Sequence, residues 1–197
     1  MSEKKIMGLS DFEKLTGYYL TNAFANIDER IRVKNELVVI GYCDAPASKG
    51  HHLAKREGLL KHSVNVTQRL VELTKAFNVR WPRYESPYIV GLLHDLVKCR
   101  CYRAVEGMYM TWEYVQPEYH GHGACSVAIA AELGIQLMRE EIAAIMFHMG
   151  PWGVGKEYSE GEFRAAMKAF APQIIATHTA DWYACKVDES EWGNERE

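Results

Sequence analysis

The chain has 197 residues, enough for one domain that buries a full core without staples. Hydrophobic residues make up 48% and charged residues 25%, both ordinary globular values. The net charge of −3 gives no electrostatic case for binding duplex DNA, yet leaves room for a local basic patch around an anionic substrate. The longest apolar runs, such as residues 142–149, fall far short of a membrane span, so no membrane partner is expected. The polar opening Met1-Ser2-Glu3-Lys4-Lys5 carries no signal or lipidation pattern. Five cysteines, at 43, 99, 101, 125 and 185, form no paired framework, which points to a reduced, cytoplasmic compartment. Cys99 and Cys101 read as packing residues, since no second pair of soft ligands faces them in sequence.

Leu9, Phe12, Leu15, Tyr18 and Tyr19 recur at three-to-four spacing and predict a helix over 9–24, capped by Ser10 or Asp11. A second helix is expected over 28–39, followed by an irregular loop through Gly41, Pro46, Ser48 and Gly50. Leu60, Val64, Val66, Leu70, Leu73 and Phe77 support a long amphipathic helix over 57–77. After a loop at 78–85, Ser86-Pro87 gives a cap and a first-turn proline for an apolar helix running through His94, Asp95 and Lys98. Tyr109, Thr111, Trp112, Tyr114 and Val115 favour strand, so a small β-hairpin is expected within 102–115, turning at Glu106-Gly107. Helices resume at 123–133 and 138–149, the latter stopped by Gly150-Pro151, and two more follow at 160–170 and 172–186. The expected architecture is all-α with that one hairpin. Residues 1–43 are helices packed on the core, 44–186 the main domain and 187–197 an acidic, frayed tail.

Five of these segments put a metal-type ligand among apolar residues: His62, the pair His94-Asp95, His122, His148 and Asp181. A divalent ion needs neutral imidazole or ionised carboxylate, and converging helices present both rigidly. His94 by itself reads as a satisfied core histidine. Asp95 and Asp181 are harder to explain without a cation, because a buried lone carboxylate costs several kcal/mol. Asp95 has two oxygens and can bridge two ions; His62, His94 and Asp181 would complete one site, and His122 with His148 a second. The flanking Trp182, Tyr183 and Ala184 suggest that Asp181 is buried. Lys98 lies three residues past Asp95 on the same helix face and can approach a phosphate oxygen. His52, Lys55, Arg100 and Arg103 bracket these segments and are expected to rim one anion-binding pocket. His178 reads as a supporting or core residue, and Trp112, Tyr114 and Trp152 as packing or lid residues.

Taken together, Pro46-Ala47-Ser48, His52, Gly58-Leu59-Leu60-Lys61-His62-Ser63 and Leu92-Leu93-His94-Asp95-Leu96-Val97-Lys98 form part of a recognisable series. Gly121-His122-Gly123, His148-Met149-Gly150 and Thr179-Ala180-Asp181 complete it. The series resembles the HD-domain metal-dependent phosphohydrolases, specifically a bacterial and phage subgroup, over about residues 44–186. A similar order occurs in the HD nuclease domain of some Gram-positive 3′–5′ exoribonucleases. The resemblance implies that His62, His94, Asp95 and Asp181 are core metal ligands, and that His122 and His148 are the extra ligands of two-metal members. It also implies that Lys98 approaches the phosphate. One departure bears on substrate and turnover: the subgroup often reads G-H-G-E-K-S, whereas this chain has Ala124-Cys125 in place of the Glu-Lys pair.

The expected function is hydrolysis of a phosphate ester on a nucleotide or related small phosphorylated molecule, with Asp95 and Lys98 as catalytic residues. The cofactors would be two divalent ions drawn from Mn²⁺, Fe²⁺, Co²⁺, Zn²⁺ and Mg²⁺; mixed His/Asp ligands favour the transition metals. The same ligand order resembles the di-iron HD-fold oxygenases, which is the rival enzyme class. A phosphodiesterase on single-stranded RNA and a nonenzymatic nucleotide-binding module are further alternatives. Oligomeric state is not legible in the sequence.

Overall fold

The computed structural model describes residues 10–49, 53–105, 111–117 and 121–190. Ser10 opens the first helix: its hydroxyl accepts from the Glu13 N–H while the Glu13 carboxylate accepts from the Ser10 N–H, a reciprocal cap. Asp11–Lys14, a π-helical turn at Leu15–Tyr19, and Leu20–Ala23 follow one another without a break and together form α1. Asn26 caps α2, Ile27–Val39, by accepting from the Glu29 N–H. Leu15, Leu20, Val33 and Leu37 from these two helices enter the same core as the rest of the chain.

The centre of the molecule is α3, Gly58–Ala76, which packs against α4, Ser86–Leu93, and against the long C-terminal helix. Every residue of α4 is buried, so its apolar run is the spine of the core rather than one face of a surface helix. Gly91 makes the α3–α4 contact close: a Cβ there would stand 2.6 Å from the Cα of Thr67. The expected cap at Ser86 is displaced by one residue. Glu85 occupies that position, and the Ser86 hydroxyl donates instead to Glu141 at 2.8 Å. Glu141 is fully buried, where it also receives two 2.8 Å bonds from Arg83, so its charge is paired and hydrogen-bonded.

The expected single helix through His94, Asp95 and Lys98 is also interrupted. Beyond Leu93 the chain tightens into turns in which Lys98 N–H donates to Asp95 C=O and Cys99 N–H to Leu96 C=O, a three-residue closure. A short helix α5, Lys98–Cys101, leads into strand β1, Tyr102–Val105. β1 pairs antiparallel with β2, Thr111–Tyr114, in the register Tyr102 to Tyr114 and Val105 to Thr111. The hairpin is therefore present; its proposed turn at Glu106-Gly107 lies outside the described residues.

Helix α6, His122–Glu132, packs on α7, Arg139–Met146, and α7 on α4. A Cβ on Gly123 would meet the Met146 carbonyl oxygen at 2.4 Å, so α6 and α7 touch backbone to backbone there. A 3₁₀ turn, Gly150–Gly153, follows α7. The two C-terminal helices expected from the sequence run on as α8, Glu160–Tyr183, bent at Phe170 just before Pro172. α8 then widens into a π-helical turn, Ala184–Asp188. The acidic tail expected to fray from Asp188 starts as a docked segment. Arg69 donates to both Asp188 oxygens at 2.6 and 2.8 Å, and Glu189 is buried against α3. Residues 191–197 lie outside the described residues.

Candidate metal centre

All six ligands expected from the sequence converge. His62 comes from α3, His94 and Asp95 from the turn after α4, His122 from the start of α6, His148 from the turn after α7, and Asp181 from α8. His62 Nε2 stands 3.3 Å from His94 Nε2, 3.4 Å from Asp95 Oδ2 and 3.2 Å from Asp181 Oδ1. His94 Nε2 lies 3.4 Å from Asp95 Oδ2 and 3.9 Å from Asp181 Oδ1. Donor atoms about 2.1 Å from one ion stand roughly 3.0 Å apart at right angles and roughly 3.4 Å apart at tetrahedral angles. His62, His94 and Asp95 therefore have the mutual spacing of one coordination sphere, and Asp181 approaches it through His62.

The other oxygen of Asp95 faces a different pair. Oδ1 lies 2.5 Å from His122 Nε2 and 3.5 Å from His148 Nε2. Asp95 thus divides its oxygens between two groups, His62 with His94, and His122 with His148, each compact enough to hold a metal ion. A carboxylate can do this because its two oxygens diverge; an imidazole directs its Nε2 to one point only.

The second nitrogen of each buried histidine supports the fit. His94 Nδ1 is 2.9 Å from the Gly91 carbonyl oxygen and His148 Nδ1 2.7 Å from that of Ile145. A carbonyl can only accept, so Nδ1 carries the proton and the Nε2 lone pair is left facing the centre, as ligation requires. His62 Nδ1 meets both oxygens of Glu189, at 3.0 and 3.2 Å, and Asn65 donates to Glu189 at 3.0 Å. Glu189 is the residue that the sequence reading missed. Its position 127 residues from His62, inside a segment read as a solvated tail, gave no signal. The π-helical turn is what rotates it onto α3.

The electrostatics are those of groups arranged for a cation. Burial resists the charges of Asp95, yet Lys98, His94 and His122 hold its carboxyl well below the usual carboxylate range. Burial likewise resists the charge of Asp181, and His62 leads the contacts that lower it. Burial opposes a proton on His62, but Asp181, Asp95 and Glu189 together raise its pKa. His94, by contrast, is lowered, because burial outweighs its carboxylate neighbours. Lys98 Nζ lies 2.5 Å from Asp95 Oδ2 and is mostly buried.

The centre opens on a cavity of about 310 Å³ whose wall includes Ser48, Lys98, Tyr102, His178, Trp152 and Lys186 beside the ligands. Several expectations for its rim do not hold. Arg100 turns to Glu132 at 2.5 Å and Arg103 to Glu113 across the hairpin at 2.6 Å, because an acidic partner lies on the adjoining element in each case. Neither residue, nor the exposed Lys55, belongs to the cavity wall, and His52 lies outside the described residues. Trp182 and Tyr183 do not bury Asp181 as expected. Both are exposed, and Asp181 itself is only half-buried, on the cavity wall, with its Oδ1 3.2 Å from His62 Nε2. His178 supports as expected, with its Nδ1 2.8 Å from the His148 carbonyl oxygen. Trp152 reaches the cavity wall, while Trp112 and Tyr114 remain on the hairpin.

Where the chain departs from the pattern of its resemblance, Cys125 is buried in the core. Ser126 next to it accepts from the Val97 N–H at 3.2 Å, tying α6 to the His94–Asp95 turn. No helix among the described residues is long and apolar enough to cross a membrane. Comparison with family models, curated proteins and solved structures found no match to this chain.

Proposed function

We propose that this protein is a metal-dependent phosphohydrolase of the HD-domain type, acting on a phosphate ester of a nucleotide or similar small phosphorylated molecule. The observation that carries the reading is that Asp95, on the wall of an open cavity, divides its oxygens between two imidazole groups. His62, His94, Asp95 and Asp181 would hold one divalent ion, and Asp95, His122 and His148 the other. Ions bound there would draw charge from a phosphoryl oxygen and acidify a water, supplying a nucleophile near neutral pH. Lys98 and Lys186 provide the positive charge on the cavity wall. Lys98 is anchored at 2.5 Å by Asp95, so its ammonium is already oriented beside the place where phosphoryl charge would develop. The cavity volume of about 310 Å³ lies at the lower end for small-molecule sites and suits a mononucleotide better than a polymer.

The test begins with metal analysis of the purified protein, followed by a phosphate-release screen over nucleotides and phosphorylated small molecules with each candidate ion. Release of phosphate from one substrate class, abolished in Asp95→Ala while helical circular dichroism persists, is the expected result. Full activity in Asp95→Ala would sink the mechanism. Substrate turnover that consumes O₂ and proceeds with iron alone would replace hydrolysis with oxygenase chemistry.

A further inference from the structure

We propose that Cys185 supplies a sulfur ligand on the cavity side of the first metal position, so that His62, Asp181 and Cys185 together hold a thiophilic divalent ion such as Co²⁺, Zn²⁺ or Cd²⁺. This rests on the metal reading above and deepens it by naming the class of ion that the centre selects. A ligand atom from each of the three residues lies within 4.8 Å of the others. Cys185 follows Asp181 by four residues, a spacing that keeps both side chains on one side of the helical chain.

The distances are those of a coordination sphere. Cys185 Sγ is 3.6 Å from Asp181 Oδ1, and His62 Nε2 is 3.2 Å from the same oxygen. A sulfur about 2.3 Å and an oxygen about 2.1 Å from one ion are separated by roughly 3.6 Å at a tetrahedral angle. Nitrogen and oxygen ligands at similar range stand roughly 3.4 Å apart. Both separations from Asp181 match within a few tenths of an ångström, and the sulfur and His62 lie within 4.8 Å of each other.

Position distinguishes Cys185 from the other cysteines. It lines the cavity, whereas Cys43, Cys99, Cys101 and Cys125 are not on that wall. An ion entering from solvent therefore meets this thiol beside Asp181. In the metal-free protein the S–H donates to Asp181 Oδ1. Ion binding would release that proton to solvent and leave the thiolate as ligand. A thiolate favours Zn²⁺, Co²⁺ and Cd²⁺ over Mg²⁺ and Mn²⁺, whose preferred ligands are oxygens. The Cys185 set shares His62 and Asp181 with the set completed by His94 and Asp95. The sulfur therefore approaches, from the cavity side, the same first position that those residues flank.

Two measurements on the full chain test this. Titration of the metal-free protein with Co²⁺ should produce a thiolate-to-cobalt charge-transfer band in the near ultraviolet. The band should be lost in Cys185→Ser and retained in Cys43→Ser. Co²⁺ that binds without such a band, or a band that survives in Cys185→Ser, overturns the sulfur ligand while leaving the metal centre intact. Failure of Co²⁺ to bind at all would instead remove the metal reading on which the proposal stands. The second measurement uses only the wild-type protein. Cd²⁺ should slow alkylation of Cys185 by iodoacetamide at least about tenfold, mapped by mass spectrometry, with Mg²⁺ leaving it unchanged. Equal alkylation with and without Cd²⁺ overturns the proposal.

Discussion

Among the side chains around the centre, Glu189 makes the most distinctive contribution, because it does not line the cavity yet contacts a proposed ligand through both oxygens. A carboxylate that receives the Nδ1 proton of an imidazole fixes the ring's orientation and makes Nε2 a stronger donor. Glu189→Gln keeps the shape and the Asn65 contact while removing the charge. The expected outcome is a loss of metal affinity of about ten- to a hundredfold, with unfolding by denaturant little changed. Isothermal titration of the metal-free variant checks it. Unaltered affinity would reduce Glu189 to a residue that merely docks the C-terminal segment. The neighbouring Asp188–Arg69 pair serves that docking separately, since neither of its members reaches the centre.

Helices hold the six candidate ligands in register where small residues let the backbones approach. Gly91 lies three residues before His94 and faces Thr67 of α3; Gly123 follows His122 and faces the end of α7, two residues before His148. Any side chain at either position would push apart the elements that carry neighbouring ligands. Gly91→Ala places a Cβ 2.5 Å from Thr67 Oγ1 and 2.6 Å from its Cα, far inside contact distance. Overpacking of this kind should destabilise the fold by about 1–3 kcal/mol, read from the denaturation midpoint. Metal affinity should fall as well, because His62 and His94 separate with their helices. A variant as stable as the parent would mean that α3 and α4 can part without strain, contrary to this packing. The turn after α4 completes the arrangement: its three-residue closures aim His94 and Asp95 inward together and bring Lys98 back over Asp95.

Across the folded protein, protons would compete with any metal ion bound at the centre for one cluster of charge. His62 and His148 have raised pKa values: burial resists their charge, and the carboxylates, led by Asp181 for His62 and Asp95 for His148, prevail. In the metal-free state these two groups stabilise the fold fully below about pH 6.5 and lose that contribution as pH rises through their folded values. Asp95 and Asp181 have lowered values, so their contribution is present above about pH 3.9 and lost as pH falls. His94 works against the other two imidazoles, since burial lowers its value and disfavours folding below about pH 6.5. Ligation needs neutral imidazole, so an ion must displace the protons that His62 and His148 hold tightly. Metal affinity should therefore weaken by about ten- to a hundredfold for each unit of acidification from pH 8 to pH 6. Competition titrations with a chromogenic chelator at fixed ionic strength measure this slope. Affinity independent of pH would show that those two imidazoles are not displaced.

The candidate ligands that the fold brings together were legible in the linear chain because metal chemistry restricts residue type and because each candidate segment was apolar, where a polar residue needs a reason. His62, His94, Asp95, His122, His148 and Asp181 could be named from that alone, and so could the helices and hairpin, whose periodicities are local properties. The partners beyond the ligands could not. Arg100 and Arg103 looked like free cations near the centre, but each lies closer to an acidic residue on an adjoining element than to the cavity. Trp182 and Tyr183 suggested a buried neighbourhood for Asp181, yet both are exposed and the carboxylate is half-buried on the cavity wall, reached by His62 of α3. Glu189 sat in the acidic stretch, where composition reads as solvent-facing, and Cys185 at a helix end with nothing to mark its direction; the π-helical turn at Ala184–Asp188 lies where both meet the centre. Residue chemistry and periodicity act over a few positions. The pairing of charges and the final direction of a side chain depend on which elements meet, and long-range packing alone sets that.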